Sequence, residues 1–198
     1  MYLFFETIKI VDGVIQNLEY HQKRVDETIN CKYSIDNKHI LRNIIIVPEK
    51  NSVGVVKCKF EYNLENYKMS FSDYKMIEIH SLKLVKSDTI EYNYKYINRS
   101  VIEKLLEKRE DCDDIIIVKN NKITDTSFSN LILFDGYKWV TPDSSLLNGT
   151  CRRRLLEQGR IEAKPVYMDE IYNYKSLVLI NAMRGEDFRN QININAIK

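Results

Sequence analysis

Lys95 lies between Tyr94 and Tyr96 in the stretch YKYINRS, with Tyr92 one step further back along the same alternation. Aromatic, partly apolar surroundings disfavour the ammonium form of a lysine and lower its pKa. A lysine amine freed of its proton attacks carbonyl carbons and forms Schiff bases. Most lysines are solvated surface charges, so Lys95 gains weight only from its company. Asp125, in ITDTSFSNLILF, is flanked by hydroxyl residues and followed by Ser127 and Asn130. Taken alone it reads as a turn aspartate. In company it is a carboxylate that could hold a cationic ring nitrogen, with Ser127 and Asn130 as polar support. Asn148-Gly149-Thr150 opens a helical pattern, where backbone N–H groups and the helix dipole favour an anion such as phosphate. Arg24 in HQKRV stands three residues after His21, on one helix face. It reads as a surface arginine by itself and as a phosphate clamp in company. Arg152, Arg153 and Arg154 must spread around their helix, so they read as a solvated face with one arginine pinned to a carboxylate.

Those residues need elements to hold them. FFETIKI (4–10) alternates apolar and polar residues, the pattern of a half-buried strand. Asp12-Gly13 supplies a tight turn, after which VIQ returns. LEYHQKRVDETI (18–29) sets Leu18, Val25 and Ile29 at helical spacing and is predicted helical. IDNKHILRNIII (35–46) predicts a second helix, capped by Asp36 and ended by Pro48. SVGVVKCKFEY (52–62) and NYKMSFSDYKMIEIH (66–80) are β-rich. SLKLVKSDTIEYN (81–93) carries little helical pattern and is the linker candidate. Ser100 and Glu103 have capping-box spacing at the head of the helix VIEKLLEKR. Hairpins are predicted in DDIIIVKNNKITDTS, turning at Asn120-Asn121, and in SNLILFDGYKWVTP, turning at Asp135-Gly136. LLNGTCRRRLLEQG (146–159) reads as a loop feeding a helix that closes at Gly159. KSLVLINAM (175–183) is a late strand. Two α+β halves meeting near residues 81–93 is the economical architecture.

Bulk properties narrow the function classes. The chain has 198 residues, enough for one large or two small domains, and its 44% hydrophobic and 29% charged content is that of a soluble globular protein. A net charge of +2 gives no argument for a nucleic-acid or membrane partner. No run of about 18 apolar residues occurs, so no transmembrane helix is expected. MYLFFETIKI has neither a basic leader nor a small-residue cleavage site, and the expected home is the cytoplasm. Cys31, Cys58, Cys112 and Cys151 are scattered, as are His21, His39 and His80. Reduced, mostly buried thiols are expected, with no metal site and no Cys-His nucleophilic pair.

In order along the chain, FET, HQKR, KYINR, TDTSFSNL, WVTP, LLNGTCR and LINAM resemble the class IV, or fold-type IV, pyridoxal-phosphate enzymes. That family holds branched-chain and D-amino-acid aminotransferases and 4-amino-4-deoxychorismate lyases. The resemblance spans nearly the whole chain. It implies an α+β fold of two domains: a small N-terminal α/β domain at 1–82, a linker at 83–93, and a larger α/β pseudo-barrel domain at 94–198. It implies pyridoxal 5′-phosphate as cofactor, a small-molecule amino substrate and a homodimer. Lys95 matches the lysine that holds the cofactor as an aldimine and later shuttles the proton. Arg24 matches the phosphate-binding arginine, and Asp125 the carboxylate paired with the pyridine nitrogen. Ser127 and Asn130 continue the motif E-x-[small]-x-x-N. Thr150 and Cys151 match the residues whose N–H groups cradle the phosphate, and Asn181 and Ala182 the strand end that closes that site. Phe5, Glu6 and Thr7 match a strand facing the substrate, and Arg99 of KYINR is taken as a substrate contact.

The pattern departs from the family at three points. Asp125 stands where glutamate is usual, one methylene shorter. Cys151 stands where transaminases usually carry threonine, with Thr150 next door to supply a hydroxyl. The chain begins at FFET, where relatives usually carry a further outer strand and loop, so a short form is expected. Within the family, K-x-x-N-R and the N-A-M strand end resemble the lyase, which forms 4-aminobenzoate and pyruvate. A branched-chain or D-amino-acid type aminotransferase is the alternative. Another class also stays open: a catalytically silent dimer that binds cofactor or a partner. A nucleic-acid module built on Arg152 to Arg154 lacks any supporting basic patch.

Overall fold

The computed structural model describes residues 3–198. They fall into two compact units: one runs to Met76 and takes in Tyr94–Asn98, and the other holds Ile77–Asn93 and Arg99–Lys198.

The first unit is a sheet with a helix on one face. Strand β1 (Phe4–Val11) alternates buried and half-buried residues, as FFETIKI predicts. Asp12 and Gly13 adopt positive φ (46° and 78°), and the chain returns as β2 (Val14–Ile15). This is the twist that tight hairpins need, and glycine reaches it without a Cβ penalty. Helix α1 (Leu18–Tyr33) follows. Its buried residues are His21, Arg24, Val25, Thr28 and Ile29, a stripe at helical spacing. The expected helix over 35–46 is reduced to α2 (Leu41–Ile44), and Asp36 caps nothing. Asn37 takes that segment out of the helix. Its side chain accepts from His39 N and donates to His39 O, a local bond set that competes with helical pairing. Strands β3 (Val55–Tyr62) and β4 (Tyr67–Asp73) complete a sheet of order β2-β1-β3-β4. Phe4, Ile8 and Ile10 of β1, Val25 and Ile29 of α1, and Val56, Cys58, Phe60 and Tyr62 of β3 share one buried core.

Residues 94–98 belong to this unit, not to the C-terminal domain. Phe5 N donates to Lys95 O at 3.0 Å and Ile97 N to Leu3 O at 3.0 Å, which fastens KYIN along the edge of β1.

The second unit begins where a linker was expected. Leu82–Lys86 form β5, paired in parallel with β6 (Asp114–Lys119). Between them lies α3 (Ser100–Leu106). Its N-cap is Arg99, with no side-chain cap bond, and Ser100, expected at the head of a capping box, is the first residue of the helix. The hairpin from β6 to β7 (Lys122–Thr126) turns at Asn120 and Asn121, both at positive φ. β8 (Asn130–Phe134) and β9 (Trp139–Pro142) make the second hairpin. Helix α4 (Thr150–Glu157) follows, then β10 (Glu162–Lys164), β11 (Ser176–Ile180) and β12 (Ile192–Asn193). The strands form one sheet of order β5-β6-β7 and another of order β10-β9-β8-β11-β12. Leu82, Ile116, Val118, Ile123, Leu131, Leu133, Leu177 and Leu179 from both sheets enclose a single core. Ile132, Val178 and Ile180 face the other way and pack against Cys151 and Leu155 of α4. This is the mixed α+β class expected, with the larger unit C-terminal. No helix among the described residues is long and apolar enough to cross a membrane.

Candidate functional site

The candidate residues fall on both units, and each set has its own chemistry. In the first, alternation along β1 decides which side chain goes where. Phe4, Glu6, Ile8 and Ile10 point toward α1; Phe5 and Thr7 take the opposite, half-buried face. Lys95 Nζ sits 4.6 Å from the centre of the Phe5 ring. Tyr94 and Tyr96 pack on Phe4, and the ammonium over their rings is that of Lys32, at 4.8 and 5.6 Å. Tyr96 N donates to Tyr94 O at 2.9 Å and closes a three-residue turn with Lys95 at its centre.

Glu6 does not face outward with Phe5 and Thr7. It is fully buried beneath α1, where His21 and Arg24 converge on it. Arg24 Nε donates to Oε1 at 2.8 Å and Nη2 to Oε2 at 2.5 Å; His21 Nδ1 meets Oε2 at 2.5 Å. Burial pushes the Glu6 carboxyl up. The Arg24 charge and the bonds from His21 and Arg24 outweigh it and bring the group down to about 2. Burial pushes His21 below 6.5, helped by the charges of Arg24 and Lys95 against the pull of Glu6. Neutral His21 therefore donates from Nδ1 to an ionised Glu6. This triad escaped the sequence reading, although the phase of FFETIKI already turned Glu6 inward with Ile8 and Ile10.

The acid behaviour of the fold follows from Glu6. Its carboxyl falls from a usual 4.5 to about 2 on folding. The stabilisation is present above pH 4.5 and is lost as pH falls toward 2. It amounts to about 3 kcal/mol, taking about 1.4 kcal/mol per pH unit. Urea denaturation at pH 7 and pH 3 should show this loss in the wild type and a shallower dependence in Glu6→Gln. Parallel slopes in the two proteins would contradict it.

In the second unit, Asp125 and Asn130 form a buried hub with the loop ahead of α4. Asn130 Nδ2 donates to Asp125 Oδ1 at 2.7 Å and to Leu147 O at 2.9 Å. Leu147 N donates to Asp125 Oδ2 at 2.9 Å. Burial pushes the Asp125 carboxyl up to about 6, against the bonds from Leu147 and Asn130 and the charge of Arg152. Gly149, the N-cap of α4, presses against the same hub. A Cβ there would stand 1.9 Å from Asn130 Oδ1. Thr150 and Cys151 are the first two residues of α4, both buried. Their backbone N–H groups have no acceptor within the helix, as at any helix start. The Cys151 thiol is pushed up to about 11 by burial and by Glu186, so this position offers its backbone, not a thiolate.

Gly149→Ala should therefore drive Asn130 off Asp125 and Leu147. A loss of about 2 kcal/mol or more is expected from overpacking and broken buried bonds. Thermal unfolding checks it, and an alanine variant as stable as the wild type would count against the close fit.

The remaining residues scatter. The Ser127 carbonyl accepts from Arg99 Nη2. Asn181 is tied up in a turn: Oδ1 accepts from Met183 N and Arg184 N, and Nδ2 donates to Ser129 Oγ. Ala182 follows at the half-buried end of β11. Arg152 is not part of a solvated face. It is buried, with Nε on Thr141 Oγ1 at 3.2 Å and Nη2 on Pro142 O at 2.9 Å, and it pins the first turn of α4 to β9. Arg154 is the arginine held by a carboxylate, that of Glu186. Among the described residues no group of three or more His, Cys, Asp or Glu could hold a metal ion.

Comparison with known proteins adds family context. The family model for amino-transferase class IV matches residues 3–186. An uncharacterised protein of Haemophilus influenzae is 37% identical over 187 residues, covering 93% of this chain and 100% of that protein. A candidate 4-amino-4-deoxychorismate lyase of Haemophilus somnus 129PT is 33% identical, with a TM-score of 0.88 over 94% of this chain and 98% of that one. A candidate amino-acid aminotransferase of Mesorhizobium loti is 17% identical, with a TM-score of 0.80 over 100% and 99%. At that identity the likeness is one of fold alone.

Proposed function

The chain belongs to the class IV aminotransferase family of pyridoxal-phosphate-dependent enzymes, and on that premise we propose that it is a 4-amino-4-deoxychorismate lyase. The observation that carries this reading is the 33% identity to the candidate lyase of Haemophilus somnus across nearly the whole of both chains. KYINR and LINAM, the two motifs that lean toward the lyase, support it.

The residues present suit pyridoxal 5′-phosphate. Asp125 is a buried carboxylate, raised to about 6 by lack of solvent, and a ring cation would relieve that cost. The start of α4 is closed down on it through Gly149, where unpaired N–H groups suit a phosphate. When bound, the cofactor supplies an electron sink for charge developing at the substrate's α carbon. The chain's own residues do the rest. Lys95 Nζ would be the residue that holds the cofactor and would carry a proton from and to the substrate. Asp125 would hold a proton on the ring nitrogen. Arg24 of the first unit, and the N–H groups of Thr150 and Cys151 of the second, would each be a phosphate contact. Phe5, Thr7 and Arg99 contact the substrate. The net reaction cleaves 4-amino-4-deoxychorismate into 4-aminobenzoate and pyruvate and needs no oxidant or co-substrate.

The test is to supply aminodeoxychorismate to the protein loaded with pyridoxal phosphate and to follow both products. 4-Aminobenzoate and pyruvate in equal amounts are expected. Amino-group transfer from an amino acid to a keto acid, with no 4-aminobenzoate, would make it an aminotransferase. Neither reaction, in a protein that keeps the cofactor, would leave the silent binding role.

A further inference from the structure

Glu6 is an expensive residue for its position. A carboxylate fully out of solvent costs several kcal/mol before its partners repay it, and an apolar residue of similar size is often no less stable. The neighbouring inward positions of β1 are Ile8 and Ile10, and Phe4 lies on the other side. A core alone would be served by another such residue at position 6.

What Glu6 does in place of filling a core is grip an arginine. The carboxylate takes Arg24 through Nε and Nη2, one oxygen each. This fork-to-fork pairing fixes the plane of the guanidinium as well as its position. His21 donates to the same Oε2 from the preceding turn of α1 and holds the carboxylate from a second direction. Because His21 is neutral, the cluster carries one positive and one negative charge, and no second cation is added. An arginine held this way meets an anion already oriented, so little side-chain entropy is lost on binding.

We propose that Glu6 is a positioning residue for phosphate binding, with its buried carboxylate setting the guanidinium of Arg24 and His21 locking that carboxylate. This rests on the reading of Arg24 as a phosphate contact. Phe5 and Thr7, on the other face of the strand, do not share the role.

Binding of pyridoxal phosphate and of pyridoxal, which lacks the phosphate, separates positioning from general damage. Both are titrated into the full-length wild type, Glu6→Gln and Arg24→Gln by absorbance. Glu6→Gln should weaken pyridoxal phosphate about tenfold or more, the scale of a charge-assisted bond, and leave pyridoxal unchanged. Combining it with Arg24→Gln should add nothing further. Equal weakening of both ligands in Glu6→Gln would make Glu6 merely structural and overturn the proposal. So would unchanged binding of both where Arg24→Gln does weaken pyridoxal phosphate. Should Glu6→Gln fail to fold, Glu6→Asp keeps the charge, withdraws it by one methylene and is read in the same way. If Arg24→Gln itself leaves the preference for the phosphorylated ligand intact, the reading of Arg24 is what falls, and this proposal falls with it.

Discussion

Lys95→Ala should abolish the visible absorbance of the protein with pyridoxal phosphate and nearly all of its turnover. The expected loss in rate is about ten-thousand-fold, the upper range for removal of a positioned proton carrier, with loss of the proposed covalent anchor added to it. The lysine is well placed for both tasks. Its backbone is fixed to β1 by the bond from Phe5 N, and its amine lies over the Phe5 ring. Its charge reaches the His21 ring of the buried triad. Lys95→Ala removes no core side chain, so thermal unfolding without cofactor should change little. That separates loss of chemistry from loss of fold. Small added amines such as methylamine should restore part of the rate, since they can carry the missing proton. A variant that keeps its absorbance band would place the covalent link on another residue, and Lys32, over Tyr94 and Tyr96, would be the next to replace.

Much of this was legible in the sequence because strand and helix periods are strict. The alternation of FFETIKI and the stripe of LEYHQKRVDETI reappear as β1 and α1. The two hairpins turn where Asn120-Asn121 and Asp135-Gly136 predict. The misreadings came where a local rule met a longer-range one. Asp36 was a plausible cap, but Asn37 bonds its own neighbours. SLKLV lacked helical period and passed for a linker, although a short parallel strand also lacks it, and β6 needed a partner. The tyrosines beside Lys95 are its neighbours in sequence, yet the rings of Tyr94 and Tyr96 pack on Phe4 and beneath the ammonium of Lys32. Arg152 could not be told from Arg153 and Arg154 by type; only the geometry of the first turn of α4 sends it into Thr141 and Pro142. For Glu6 the signal was present and was overruled by the motif it belongs to. A motif marks which residues matter and does not say which way each one points.

Asp125→Asn should cut turnover by about tenfold to a thousandfold, since a neighbouring carboxylate is worth about one to three pKa units to the proton of a buried cation. Its effect on the empty protein has the opposite tendency and depends on pH. Folding raises the Asp125 carboxyl from 3.8 to about 6. A raised carboxyl favours the folded state at low pH, and that benefit is lost as pH rises from about 4 through 6. The span is about 3 kcal/mol. Asparagine cannot ionise, so it escapes this cost at pH 7. It brings its own penalty, because Asn130 Nδ2 and Leu147 N both donate to the carboxylate. One of them would then face an amide N–H₂, at a cost of about 1–3 kcal/mol. The two terms are of similar size and nearly cancel at neutral pH, while at pH 4 only the penalty remains. Urea denaturation without cofactor should therefore find Asp125→Asn close to the wild type at pH 7 and clearly weaker at pH 4. A difference that stays constant between the two pH values would mean that Asp125 is ionised throughout and that its burial is already compensated before any cofactor binds.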